Sequence, residues 1–188
     1  MPRIALALTE DFADWEPALL TAAARGYLGV DIVTATPDGA PVVSMGGLKV
    51  TPDMAYGALD PDMIHALVIP GGLIWEKGAA PDFTDLVHRF RAQDRVVAGI
   101  CAAASALAGT GVLNHVAHTG NSVVSHSKYE AYQGAKYYRE QPQAVSDKGI
   151  ITAPGSAPVT FATEVLKALD LWGPEAEAEI TVFSAEHR

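Results

Sequence analysis

Cys101 is the only cysteine in the chain, and it stands where an apolar run, Val96-Val97-Ala98-Gly99-Ile100, gives way to small residues, Ala102-Ala103-Ala104-Ser105-Ala106. That pattern reads as strand, sharp turn and helix. A thiol at such a junction meets the unpaired N–H groups and the positive dipole end of the helix together, which favours the nucleophilic thiolate. An unpaired cysteine is otherwise most simply a small buried hydrophobe, so the context makes Cys101 a candidate for chemistry. Gly99 before it and alanines after it leave room for the crowded backbone of a nucleophile elbow. A lone cysteine excludes an intrachain disulfide, and no Cys/His pair has the spacing of a zinc site.

The elements that would position the thiol follow from hydrophobic patterning. Ile4 to Leu8, Val30 to Ala35, Ala66 to Pro70 and Val96 to Ile100 are short apolar runs of the kind that form buried parallel strands. Helical spacing appears over Trp15 to Leu28, over Phe83 to Ala92 with Asp82 as N-cap, and over Val159 to Leu169 after Pro158. Alternating strands and helices predict an α/β fold, a doubly wound, mostly parallel sheet with helices on both faces. Pro41 to Ser44 and Leu48 to Thr51 suggest a hairpin, as do Gln143 to Ser146 and Ile150 to Ala153 across Asp147-Lys148-Gly149. Ser127 to Gly134 reads as a short helix, and Pro174 starts a last helix carrying Ala176, Ile180 and Phe183.

In an open parallel sheet, ligands bind at the carboxyl ends of the strands. Three features converge there: the acidic turn Thr9-Glu10-Asp11-Phe12-Ala13-Asp14-Trp15-Glu16, the Pro70-Gly71-Gly72 turn, and Cys101. Glycines in the second let backbone N–H groups approach a ligand closely. Ile74 and Trp75, just beyond, are candidates for an apolar rim over the thiol. Phe12 and Trp15 are rim or core, and Tyr129, Tyr132, Tyr137 and Tyr138 read mainly as surface packing.

A chain of 188 residues with 49% hydrophobic and 19% charged residues fits one ordered domain, 1–188, able to bury about 70% of its unfolded surface. A net charge of −9 excludes the basic stripe that nucleic-acid binding needs. No apolar stretch is long enough to span a bilayer and no leader precedes the first strand, so a cytoplasmic protein is expected. Phosphate loops of the P-loop or dinucleotide type are missing, so no nucleotide cofactor is expected.

The order and spacing of these pieces carry a resemblance that covers nearly the whole chain. Asp14-Trp15-Glu16 after the first strand, Pro70-Gly71-Gly72, Ala98-Gly99-Ile100-Cys101 and Ala153-Pro154-Gly155-Ser156 together resemble the DJ-1/PfpI (ThiJ/PfpI) family of the class I glutamine amidotransferase-like superfamily. The resemblance implies a flavodoxin-like sheet, an elbow cysteine at Cys101, a buried glutamate at Glu16, oxyanion-type backbone donors at Gly72 and Ala102, and a homodimer. An ionised carboxylate would raise the thiol pKa, so Glu16 helps only if it is protonated and donates to the sulfur, the two groups sharing one proton. Many family members also bring a histidine to the sulfur. Counting forward along a strand expected over Val116 to Asn121, His118 is the nearest candidate, and Asn121 is the alternative that leaves the site without an imidazole; His126 is more distant. His65, His88, His115 and His187 read as solvated or edge residues.

Departures from the family pattern narrow the chemistry. Ala102 follows the cysteine where protease-like members carry histidine, and the late His-x-Glu pair of glutaminases is absent. The resemblance therefore implies a cysteine nucleophile acting on a small electrophilic substrate, a reactive carbonyl, amide or nitrile-like carbon, in hydrolase or lyase-type chemistry. The alternative is a stress-responsive protein whose cysteine is oxidised without turnover.

Overall fold

Strands buried on both faces carry mostly apolar side chains, and in the four central strands of this protein only Arg3, at the start of the first, and Thr152 depart from that. The computed structural model describes residues 1–187, with side chains to residue 185. In chain order the elements are β1 (Arg3–Ala7), α1 (Trp15–Gly26), β2 (Asp31–Thr36), β3 (Val42–Val43), β4 (Lys49–Val50), β5 (Met54–Ala55), β6 (Ala66–Ile69), α2 (Thr84–Ala92), β7 (Val96–Ile100), α3 (Ala102–Gly109), α4 (Val123–His126), β8 (Val145–Asp147), β9 (Ile150–Ala153), α5 (Pro158–Ala168) and α6 (Pro174–Thr181). One sheet takes the order β5-β2-β1-β6-β7-β9-β8. Every pair in it is parallel except β8 with β9. This is the doubly wound, flavodoxin-like α/β architecture.

The period of two in each strand divides the core. Ile4, Leu6, Val68, Ala98, Ile100 and Ile151 face α1, α5 and α6, where Leu20, Phe161, Val165 and Ile180 are buried. Ala5, Ala7, Leu67, Ile69 and Val97 face α2 and α3, against Val87, Phe90 and Leu107. Each fully buried Leu, Ile or Phe contributes about 1.5–3 kcal/mol, so register is strongly specified on both faces. β3 and β4 form a separate antiparallel hairpin, as the glycine and proline pattern predicts. β8 lies slightly downstream of the expected Gln143 to Ser146, and Lys148 (φ 49°) with Gly149 (φ 76°) makes the tight turn into β9. Both central residues at positive φ are what a twisted two-residue hairpin demands.

Several expectations are corrected. Ser127 to Gly134 is not a helix; the helical turn is α4, upstream, where the Ser122 hydroxyl accepts from the Ser125 N–H at 3.1 Å as its N-cap. Val116 to Asn121 is not a strand and makes only an isolated bridge, His118 to Tyr138. Phe183 is not carried by the last helix: it falls beyond α6 in a 3₁₀ turn and is 53% exposed. Asp82 does accept from the Thr84 N–H and hydroxyl, at 2.9 and 2.6 Å, from one position upstream of the N-cap residue Phe83. Tyr132 is buried rather than superficial. No helix of the described residues is long and apolar enough to cross a membrane.

Candidate functional site

β7 delivers Cys101 into the first turn of α3 with φ 61° and ψ −126°, a left-handed backbone that a non-glycine residue adopts only under strain. That strain is the mark of a nucleophile elbow, and it turns the half-buried thiol away from the strand toward the carboxyl edge of the sheet. Around the sulfur three loops approach closely. The Gly155 backbone lies so near that a Cβ there would sit 2.8 Å from Sγ, which fixes the need for glycine in the turn after β9.

Glu16, in the first turn of α1, is fully buried. Its Oε2 accepts from the Gly71 N–H at 2.5 Å. Oε1 has no hydrogen-bond partner, and it borders the same small space as the thiol: a Cβ at Gly155 would lie 3.4 Å from Oε1 and 2.8 Å from Cys101 Sγ. Burial pushes the Glu16 pKa up to about 7, against the opposing pull of the Gly71 N–H and the thiol. The thiol is itself raised, first by burial and then by the Glu16 charge, while the Asn121 amide and the Ala102 N–H pull it down. Burial holds both groups toward their protonated forms, and the ionisation of either one disfavours that of the other. A proton on Glu16 also removes the orphaned buried oxygen, since a carboxylic O–H can donate to sulfur.

Asn121 completes the arrangement. Its Nδ2 donates to Cys101 Sγ at 3.2 Å, and its Oδ1 accepts from the Gly155 N–H at 3.0 Å. The second bond fixes the amide orientation, because only the oxygen can accept from an N–H. His118 does not meet the sulfur. Its Nδ1 donates to the Val116 carbonyl at 2.8 Å and its Nε2 accepts from the Tyr132 hydroxyl at 2.8 Å, in a fully buried position. The expectation of an imidazole at the thiol is thus corrected in favour of Asn121: without a strand over Val116 to Asn121, the chain turns His118 inward. His65, His88 and His115 are partly or fully exposed, and the side chain of His187 lies outside the described residues.

The amides of Gly72 and Ala102 flank the elbow. The Ala102 N–H lies against the sulfur; Gly72 bridges to Phe12, its N–H donating to no protein acceptor among the described residues. Two cavities meet at Asn121. One of about 430 Å³ is bordered by Tyr138, Glu140, Pro154 and Ser156, the other of about 340 Å³ by Trp75, Ala102, Ser105 and Lys128. Trp75 therefore lines the site, stacked on Phe83 at 6.3 Å, whereas Ile74 lines neither cavity. Phe12 is core. Trp15, half exposed, donates from Nε1 to the Gly155 carbonyl at 3.2 Å. Among the described residues no cluster of three or more His, Cys, Asp or Glu side chains is arranged to hold a metal ion.

Sequence reasoning missed what holds the acidic turn. Asp14 accepts from the Ser44 hydroxyl and from the Gly46 N–H at 2.7 Å, Glu10 accepts from the Val43 N–H at 3.0 Å, and Asp11 pairs with Lys77. The cluster of acids at the start of α1 was the available signal: four carboxylates so close together need donors, and the hairpin supplies those of Glu10 and Asp14, Lys77 that of Asp11 and Gly71 that of Glu16.

Comparison with known proteins gives a consistent result. The sequence profile of the DJ-1/PfpI family matches residues 2–168. A curated Bacillus subtilis protein named "Uncharacterized protease YdeA" is 33% identical over 179 residues, covering 93% of this chain and 87% of its own. The crystal structure of the DJ-1 superfamily protein Atu0886 from Agrobacterium tumefaciens is 71% identical, with a TM-score of 0.99 and complete coverage of both chains, 100% and 100%. A thiJ/pfpI family protein from Bacillus anthracis is 27% identical with a TM-score of 0.86, over 98% of this chain and 91% of that one.

Proposed function

Since this chain belongs to the DJ-1/PfpI family, we propose that it uses Cys101 as a covalent nucleophile on a small electrophile, a reactive carbonyl, amide or nitrile-like carbon. The observation that carries this reading is the convergence of a strained elbow thiol, a buried Glu16 and the Asn121 donor on one sulfur. Sulfur attacks the electrophilic carbon as the thiolate. The proton held between Cys101 and Glu16 passes to the oxygen or nitrogen that gains charge, and the N–H groups of Gly72 and Ala102 hold that charge meanwhile. His118 takes no direct part, its ring nitrogens being engaged elsewhere.

Peptide hydrolysis is disfavoured although relatives carry the word protease in their names. Ala102 follows Cys101 where protease-like members of the family carry histidine. A homodimer fits the exposed apolar side chains around the hairpin, Trp15, Val43, Met45 and Leu48, and a lone reduced thiol suits the cytoplasm. Light scattering of the purified chain tests the first point. For the activity, turnover of a panel of small aldehydes and amides is compared between the protein and Cys101→Ala. A loss of ~10³-fold or more is expected for any true substrate; equal turnover would end the proposal.

The donors around the sulfur also favour a second reading, in which peroxide oxidises the thiol. Two equivalents convert it to sulfinic acid with release of two waters, and Asn121, the Ala102 N–H and neutral Glu16 would stabilise the anion. Mass spectrometry after mild peroxide distinguishes this: a stable two-oxygen adduct confined to Cys101 supports it, and a thiol that stays reduced rejects it.

A further inference from the structure

The backbone just before Asn121 is bound by side chains that the chemistry at Cys101 does not use. Thr119 N–H donates to Thr152 Oγ1 on β9 at 2.8 Å, the Thr119 carbonyl meets His126 Nε2 at 3.2 Å, and the Gly120 carbonyl accepts from the Tyr138 hydroxyl at 3.0 Å. His126, on α4, is fully buried. Its second nitrogen, Nδ1, lies 3.0 Å from Ser105 Oγ on α3, the helix that Cys101 opens.

These contacts fix the tautomer. A carbonyl only accepts, so Nε2 carries the ring proton, Nδ1 is the acceptor and the Ser105 hydroxyl donates to it. The ring is neutral and saturated on both sides, with His118, Tyr132 and Tyr138 packed around it at centroid distances of 5.7, 5.5 and 5.5 Å. It also lies flush on the backbone: a Cβ at Gly120 would come 2.5 Å from His126 Cε1. The histidine therefore ties the helix that holds the sulfur to the loop that holds the sulfur's side-chain donor.

We propose that His126 is a positioning residue for the reaction, holding the Thr119-Gly120 backbone against α3 so that the Asn121 amide stays on Cys101 Sγ and stabilises the thiolate. This rests on the reading of Asn121 and Cys101 given under the proposed function. The residue touches neither the sulfur nor either cavity, and its effect is transmitted through Asn121.

The test is the rate of iodoacetamide alkylation of Cys101 as a function of pH in the full chain, in Asn121→Ala, His126→Phe and the double variant. Asn121→Ala is expected to move the alkylation profile up by about one pH unit, about tenfold slower at pH 7. His126→Phe is expected to move it in the same direction, with the double variant no slower than Asn121→Ala alone. A folded His126→Phe with the parent profile, or effects that multiply in the double variant, would overturn the inference. Should His126→Phe not fold, Ser105→Ala and Tyr138→Phe each remove one hydroxyl from the same strap; parent profiles in both would overturn it equally. If Asn121→Ala itself keeps the parent profile, the role of Asn121 fails and this inference with it, whereas a shift in Asn121→Ala alone defeats only His126.

Discussion

Glu16 holds its proton in a place where water would take it away. Burial raises its pKa to about 7, whereas in the unfolded chain a glutamate ionises near 4.3. The folded state thus binds the extra proton between these values, so the stability present below about pH 4 is lost as pH rises through 7. The shift corresponds to about 4 kcal/mol. Glu16→Gln keeps the shape without the titration, and urea unfolding should show it more stable than the parent by up to that amount at pH 8 and nearly equal at pH 4. A variant no more stable than the parent at pH 8 would mean that the carboxyl is solvated. Gly155 belongs to the same scale. A methyl at Gly155 would meet the sulfur at 2.8 Å, so Gly155→Ala should slow iodoacetamide labelling at least tenfold and cost about 1–3 kcal/mol, measured by labelling kinetics and thermal unfolding.

At the scale of elements, the β3–β4 hairpin is docked on the acidic turn by Asp14 and Glu10 rather than by core packing alone. Asp14→Ala should release it: about 1 kcal/mol of stability and faster hydrogen exchange at the amides of Val43, Gly46 and Leu48, with β6 and β7 unaffected. Unchanged exchange would mean that apolar contacts hold the hairpin. The same elements show what the letters revealed. β1, β6 and β7 were legible because a strand buried on both faces has no polar positions to confuse it with anything else, and Cys101 was legible because a strand meets small residues there. Asn121 and His118 could not be separated by counting. Their facing depends on whether Val116 to Asn121 pairs as a strand, and that is decided by Tyr138, Thr152 and Ser105, which are distant in sequence. The helical turn at α4 carried a local signal, Ser122 as N-cap to Ser125, in a segment too short for periodicity to register. That Glu16 helps the sulfur only when protonated follows from the logic of two adjacent acids, but the pairing of its Oε2 with Gly71 needed the close approach of two loops.

The molecule as a whole gathers its site from five separate segments, Glu16, Gly71, Cys101, Asn121 and Gly155, at the carboxyl edge of one sheet. The titration of Glu16 opposes that of the buried histidines in the global pH profile. Burial holds His126 down to about 4 and lowers His118 as well, so the unfolded chain binds protons from about pH 6.5 downward that the folded chain refuses. The histidine contribution is full above that pH and is lost toward pH 4, while Glu16 regains stability across nearly the same window. Removing the second effect should expose the first: Glu16→Gln should lose stability on acidification from pH 6.5 to 4 more steeply than the parent, by urea midpoints. Parallel profiles would contradict this. The account depends most on where the shared proton sits, and the ¹³C shift of the Glu16 side-chain carboxyl, followed by NMR from pH 3 to pH 10, reports it directly. A titration centred near 7 is the predicted result; one centred at the ordinary glutamate value of about 4.3 would contradict the account.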